Sequence, residues 1–332
     1  MSAPGAVDPT PRPAHGPIAG EDTTTRVLKH VWNVLQAGTL RNPAALYAVR
    51  WFGGSRELRF RSGFQYRCDR AHLATARELC GLAYHGGRLT ADGSGPKPNW
   101  TVRPAENLLL TPSGIRLALD TLHHLIFAET FIFDIHFQGF DLRGKTVVDA
   151  GAHVGDTALY FAEKGAEVYA FEPDPENFAK LERNVALNPA LAPRIHPRME
   201  AVGEDGTISF YVGLGGGSGM YAAGGRPVRV PSVSLGTLLA REKLERAFLL
   251  KSDCKGCEAS LVRQEAIERF DRVAIEYASE LGVGSVEEFA AALAARGFPH
   301  QRIFKQSIAP FTVDKHGVLC AERAPAAVPP PT

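Results

Sequence analysis

Two acids and the glycine turn between them are the residues in this chain best placed to do chemistry. Val147 and Val148 lead into Asp149-Ala150-Gly151-Ala152-His153-Val154-Gly155-Asp156-Thr157, which reads as a short buried strand, a turn and the start of a helix. Glu172 follows at the end of the next apolar run, Glu167–Phe171. Glycines let the backbone approach a ligand closely, and an acid one strand further on accepts hydrogen bonds from ribose hydroxyls. The chemistry implied is the holding of an adenosine cofactor. A dinucleotide turn would carry three glycines as G-x-G-x-x-G, whereas Gly151 and Gly155 enclose Ala152, His153 and Val154 with no middle glycine. The candidate cofactor residues are therefore Asp149, Gly151, Ala152, His153, Gly155, Asp156 and Thr157 on the turn, with Glu172, Pro173 and Asp174 beside it.

The elements that position these residues alternate strand with helix, which predicts a parallel sheet with right-handed crossovers. Thr146–Ala150 and Glu167–Phe171 are the first two strands, and Pro175 opens a helix with Phe178, Leu181 and Val185 on one face. A third strand is expected near Ile195–Val202, then a turn at Gly203-Glu204-Asp205-Gly206 and a strand over Thr207–Val212. The glycine-rich stretch Gly213–Gly225 has no periodicity and is a candidate mobile loop. Ala247–Asp253 and Val273–Tyr277 supply strands four and five, so Asp149, Glu172, Asp253 and Glu276 all fall near carboxyl ends of strands, where open α/β sheets bind ligands. Ser285-Val286-Glu287-Glu288 is a capping box for a helix that closes at Gly297, and strands near Pro299–Phe304 and Gly317–Glu322 end the sheet.

Upstream, Leu58, Phe60, Phe64, Tyr66 and Cys68 alternate around Ser62-Gly63 as a hairpin, and a helix is expected from Arg70 to Tyr84. Gly86–Lys97 reads as a loop, Asn107–Leu119 as two short strands, and Leu122–Phe137 as a helix. The expected organisation is a disordered segment over 1–24, an α+β accessory region covering the site over 25–140, a cofactor domain over 141–323 and a proline-rich tail over 324–332.

Composition limits the partners. A net charge of +1 gives no bulk reason for nucleic-acid binding, so none is expected. No apolar run reaches the roughly 18–20 residues that span a bilayer, and no secretory signal is evident. Five cysteines do not read as a disulfide framework, so a cytoplasmic setting is expected. Cys254-Lys255-Gly256-Cys257 lacks a second C-x-x-C to close a zinc site and is read as small residues packed near the substrate.

Two patterns carry a family resemblance. Asp149-x-Gly151-x-x-x-Gly155 looks like the first motif of class I S-adenosylmethionine (SAM) methyltransferases, and Leu249-Leu250-Lys251-Ser252-Asp253-Cys254-Lys255-Gly256-Cys257-Glu258 resembles the lysine–x–aspartate–x–glutamate–glycine–x–glutamate signature of their FkbM family. Phe171-Glu172-Pro173-Asp174 and Val230-Pro231-Ser232-Val233-Ser234-Leu235 are similar to that family too. Lys251, Asp253, Gly256 and Glu258 match the signature; Lys255 replaces its glutamate, His153 stands where asparagine is common, and Gly236 where aspartate is.

The resemblance implies a Rossmann-like class I methyltransferase fold: a mostly parallel seven-stranded sheet with an antiparallel terminal strand. It also implies SAM as cofactor and methyl transfer to a hydroxyl oxygen of a small molecule or glycan. Asp253 is then the expected base, with Glu258 and Glu276 behind it, and His153 a further candidate. Open alternatives are a non-catalytic SAM-binding scaffold of the same fold, methylation of RNA or protein, and a nucleotide-dependent oxidoreductase.

Overall fold

The structure, a computed structural model, describes residues 32–136, 139–213, 219, 225–278, 285–305 and 316–324. Helix α1 (Pro43–Phe52) leads into the hairpin β1 (Arg56–Arg59) and β2 (Gln65–Cys68), with Arg59 opposite Gln65. Alternation buries Leu58, Tyr66 and Cys68 on one side, and Gly63 takes the positive φ of the turn. Helix α2 (Leu73–Tyr84) follows, and β3 (Arg88–Thr90), β4 (Asn99–Arg103), β5 (Leu108–Leu110) and β6 (Arg116–Ala118) form a four-stranded sheet in that order. Two expectations are corrected here. The loop expected over 86–97 contains β3, and the expected helix Leu122–Phe137 is the shorter α3 (His124–Phe131).

The second sheet carries the candidate site. Its strands are β7 (Thr146–Ala150), β8 (Glu167–Phe171), β9 (Ile195–Arg198), β13 (Ala247–Ser252), β14 (Phe270–Ala278), β15 (His300–Lys305) and β16 (His316–Glu322), arranged β15-β16-β14-β13-β7-β8-β9. β14, β13, β7, β8 and β9 pair in parallel, while β16 runs antiparallel to both β14 and β15. This is the class I methyltransferase arrangement, as the motifs imply. Helices α4 (Asp156–Glu163) and α5 (Pro175–Ala186) cross over on one face; α6 (Leu235–Arg241), α7 (Glu258–Leu261) and α8 (Val286–Ala295) complete the layer order along the chain. The capping box at Ser285 and Glu288 is present.

The third expected strand splits. β9 ends at Arg198, and β10 (Ala201–Val202) pairs instead with β12 (Arg226–Val233), which also pairs with β11 (Gly206–Val212). Pro197 sits in β9 at the edge of the large sheet, where a missing N–H is tolerated. Most of the glycine-rich stretch 213–225, the segment 1–24 and the tail from 325 lie outside the described residues; Gly219 forms a bridge with Tyr211.

Two apolar clusters hold the large sheet. One joins its first face to the N-terminal part, packing Phe60, Leu79, Leu117 and Phe127 with Val147, Phe161 and Val168. The other packs Leu235, Leu238, Leu261, Phe289 and Leu293 against Val148, Leu250 and Ile275. Asn184 on α5 and Asn188 just past its C-terminal end fasten the two sheets together. Asn184, fully buried, accepts from the Ala118 N–H at 2.8 Å and donates to the Val154 carbonyl at 2.8 Å. Asn188 pairs with both backbone groups of Arg116. The accessory strands are thus tied to the same turn that bears the cofactor motif, because an unmet buried backbone group costs about 1–3 kcal/mol.

Candidate functional site

The turn after β7 is shaped by three positive φ angles, at Gly151 (81°), His153 (50°) and Gly155 (83°). A Cβ at Gly151 would sit 1.9 Å from the Asp253 carbonyl oxygen, so only glycine lets the two loops meet. The N–H groups of Gly151 and Ala152 both donate to the Phe171 carbonyl at 2.9 Å, which ties the turn to the end of β8.

Asp149 lies beneath this turn, fully buried. Its carboxylate is 2.9 Å from Lys251 Nζ and accepts from Thr157 Oγ1 at 2.6 Å. Lys251 Nζ also donates to the Gly151 carbonyl at 2.7 Å. Burial works against the lysine charge, but Asp149 and neighbouring carboxylates outweigh it and hold its pKa above the usual value.

Glu172 accepts two backbone bonds at 2.8 Å, from His153 N–H and from Asp174 N–H. Burial pushes its carboxyl up to about 7, against the pull of those N–H groups and of His153. Asp174 is occupied as the N-cap of α5, accepting from Glu176 N–H at 2.9 Å.

A second cluster stands at the end of β13. Lys255, with φ of 52°, places Nζ 2.6 Å from Asp253 Oδ1 and in an ion pair with Glu276. Burial opposes the Asp253 charge, but the Lys255 ammonium and a hydrogen bond from Glu276 hold its pKa far below the carboxylate range. Burial and the adjacent Asp253 charge hold Glu276 well above it. Glu258 fastens the intervening turn: its carboxylate accepts the N–H groups of Cys254, Lys255 and Gly256 at 2.9, 3.0 and 2.7 Å. Cys254 and Cys257 are joined by a disulfide across that turn, which corrects the expectation of packed thiols.

These loops enclose a cleft with two adjoining lobes that share Gly151, Pro173, Phe210 and Cys254. The polar lobe has about 570 Å³ of empty space and the apolar lobe about 500 Å³, each open to solvent. Together they suit a small organic ligand with a polar end and an apolar end. Of the residues expected from the sequence, Gly151, His153, Asp156, Thr157, Glu172, Pro173 and Asp253 line the polar lobe. Asp149, Ala152, Gly155, Asp174, Glu258 and Glu276 stand behind its wall. Asp156 accepts from Thr130 Oγ1 at 2.8 Å through Oδ2, while its Oδ1 and His153 Nδ1, 3.9 Å apart, are buried without a hydrogen-bond partner among the described residues. Those orphaned atoms, and the glycine closure at 151, fit a polar ligand held against the turn.

Sequence reasoning missed the opposite wall. Ile126, Glu129 and Thr130 from α3, then His136, Asn177 and Phe210, also line the polar lobe. The spacing of Ile126, Glu129 and Thr130 places them on one helix face, a signal hidden in an otherwise apolar run. The apolar lobe is built by Ala201, Val202, Ile208 and Ser232 from the small sheet that replaced the end of the expected third strand.

Residues 149–298 match a family model described as Methyltransferase FkbM domain. No curated protein sequence matches the chain significantly. Among solved structures, it is similar to a methyltransferase FkbM from Methylobacillus flagellatus, at 16% identity over 54% of this chain and 43% of that one, with a TM-score of 0.39. The chain thus spans less than half of that relative. A TehB-like SAM-dependent methyltransferase from Corynebacterium glutamicum matches at 13% identity over 55% and 82%, with a TM-score of 0.34. A magnesium protoporphyrin IX methyltransferase from Synechocystis, solved with bound SAM, matches at 13% identity over 55% and 72%, with a TM-score of 0.36. Among the described residues no helix is long and apolar enough to cross a membrane.

Proposed function

We propose that the cleft binds SAM and that the protein transfers its methyl group to a hydroxyl oxygen of a small molecule or glycan. The observation that carries this reading is Glu172, a buried carboxylate at the second strand end whose two oxygens are oriented by backbone N–H groups and which still faces the cleft. Gly151, His153, Asp156 and Thr157 would hold the amino-acid end of the ligand, Glu172 the ribose, and the apolar lobe the base. When bound, SAM supplies a methyl group already activated by its sulfonium. The protein's part is to orient the acceptor oxygen at about 3–3.5 Å and to remove its proton. Asp253 and Lys255, backed by Glu276, would form a fixed polar floor, and Glu258 would set the shape of the turn beside it.

Calorimetric titration with S-adenosylhomocysteine tests the reading. Saturable binding is expected in the intact protein, weakened at least tenfold, about 1.4 kcal/mol, in Glu172→Gln. Binding should tighten as pH rises through 7, because ribose hydroxyls donate best to the ionised carboxylate. In the absence of ligand the sign reverses. A carboxyl raised to about 7 binds a proton the unfolded chain has already lost, so its burial costs stability above pH 7 and that cost is relieved as pH falls towards 4.5. Glu172→Gln should therefore flatten the pH dependence of the free protein's unfolding midpoint between about pH 5 and pH 8. No ligand binding by the folded protein at any pH would sink the proposal. A scaffold reading draws on Lys255, which engages both Asp253 and Glu276; ligand binding without turnover of SAM in a cellular extract would favour it.

A further inference from the structure

We propose that His136 receives the acceptor hydroxyl in this cleft, taking a hydrogen bond from it and then its proton. The inference rests on the methyl-transfer reading above and deepens it.

Three carboxylates were expected to supply the base, and each is committed elsewhere. Asp253 is paired with Lys255 at 2.6 Å. Glu276 shares the same ammonium. Glu258 accepts three backbone N–H groups. His153 belongs to the cofactor turn through its own N–H bond to Glu172. His136 belongs to neither the carboxylate cluster nor the cofactor turn. It comes from the segment between α3 and β7, lines the polar lobe beside Glu129 and Thr130, and is only 9% exposed. Its Nδ1 is buried with no hydrogen-bond partner among the described residues. A buried imidazole nitrogen left without a partner costs free energy unless a ligand supplies one.

The surroundings keep this imidazole neutral. Lys251, Asp253 and Lys255 face it from the end of β13, and Asp156 from α4. Burial, aided by the two lysines, pushes its pKa down to about 3 against the pull of the two aspartates. It is therefore free to accept a hydrogen bond at any pH where the protein works. So weak a base suffices because an oxygen gaining a methyl group becomes strongly acidic. As the new O–C bond forms and the sulfonium S–C bond breaks, the hydroxyl proton passes to the imidazole, leaving a methyl ether, a neutral thioether and an imidazolium. The imidazolium then gives its proton to water.

The test uses the full-length protein, isotope-labelled at histidine nitrogens and saturated with S-adenosylhomocysteine. Nitrogen NMR should show the His136 ring neutral, with one bare nitrogen, down to about pH 4. That bare nitrogen should shift on addition of glycerol, a hydroxyl donor, but not with 1,2-dimethoxyethane, which has no donor. His136→Gln and His136→Asn should both retain ligand binding in calorimetry, and thermal unfolding confirms that each is folded. Failure of the unmutated protein to bind S-adenosylhomocysteine would strike at the cofactor reading, not at His136. Protonation near pH 6.5, no response to glycerol, or loss of ligand binding in both folded variants would each overturn the assignment to His136.

Discussion

Lys251 and Lys255 leave the same strand end four residues apart, and each meets carboxylates, yet their surroundings differ. Lys251 has 3% of its side chain exposed and closes on Asp149 and the Gly151 carbonyl at the base of the polar lobe. Lys255 keeps 24% exposed, sits in the cleft wall, and bridges Asp253 and Glu276 from a left-handed backbone. The first pair pins the cofactor turn to the sheet; the second sets the charge of the site. A buried ion pair broken on one side leaves an uncompensated charge, whereas one at a cleft can be relieved by water and protons.

The largest effect should follow from Lys251→Met. It strands the Asp149 carboxylate in a fully buried position and removes a donor from the Gly151 carbonyl. A loss of about 3–5 kcal/mol is expected from urea unfolding at pH 7.5. Adding Asp149→Asn should recover more than half of it, since the buried charge is then gone. A loss below about 1 kcal/mol would break the distinction between the two lysines.

Lys255→Met should cost less, about 1–2 kcal/mol at pH 8, because water reaches the side chain. Its pH dependence sharpens the contrast. With Lys255 present, the lowered pKa of Asp253 contributes stability above the ordinary carboxylate range that is lost as pH falls through it. Without Lys255 the Asp253 carboxyl loses the main influence that lowers its pKa, so the variant takes up a proton there at a higher pH than the parent, while Glu276 is raised in the parent already. The gap between variant and parent should therefore narrow as pH falls from 8 to 5, read from unfolding midpoints. A constant gap across that range would mean that Lys255 acts through packing alone.

The same contrast separates what the sequence made legible from what it did not. Asp149, the Gly151 turn and Glu172 were readable because strand ends and glycines encode them locally, within one crossover unit. Lys251 reaches Asp149 and, 100 positions away, the Gly151 carbonyl, which depends on β13 lying beside β7. His136, Glu129 and Thr130 were not readable as site residues, because packing of the N-terminal layer, fastened by Asn184 and Asn188, aims them at the cleft. Glu258 read as a possible base from its place in the signature; its three N–H bonds arise from a turn whose conformation no spacing announces. The expected third strand failed at Met199–Glu200, where β9 leaves the large sheet and β10 joins a different one.

An effect on stability no larger than that of Lys255→Met should come from reducing the Cys254–Cys257 disulfide. It closes a ring of only four residues, so it removes little freedom from the unfolded chain, about 1–2 kcal/mol. The bond nevertheless spans Lys255 and borders both lobes through Cys254. Loosening the turn should weaken S-adenosylhomocysteine binding by roughly three- to tenfold, up to about 1.4 kcal/mol. Calorimetry with and without dithiothreitol measures this. The double variant Cys254→Ser and Cys257→Ser should match the reduced protein and ignore the reductant, which excludes Cys68, Cys80 and Cys320 as the source. If reduction leaves binding unchanged, the two carboxylates and Glu258 alone hold Lys255 in place. The second lysine is then as firmly fixed as the first, and only its access to water and protons sets it apart.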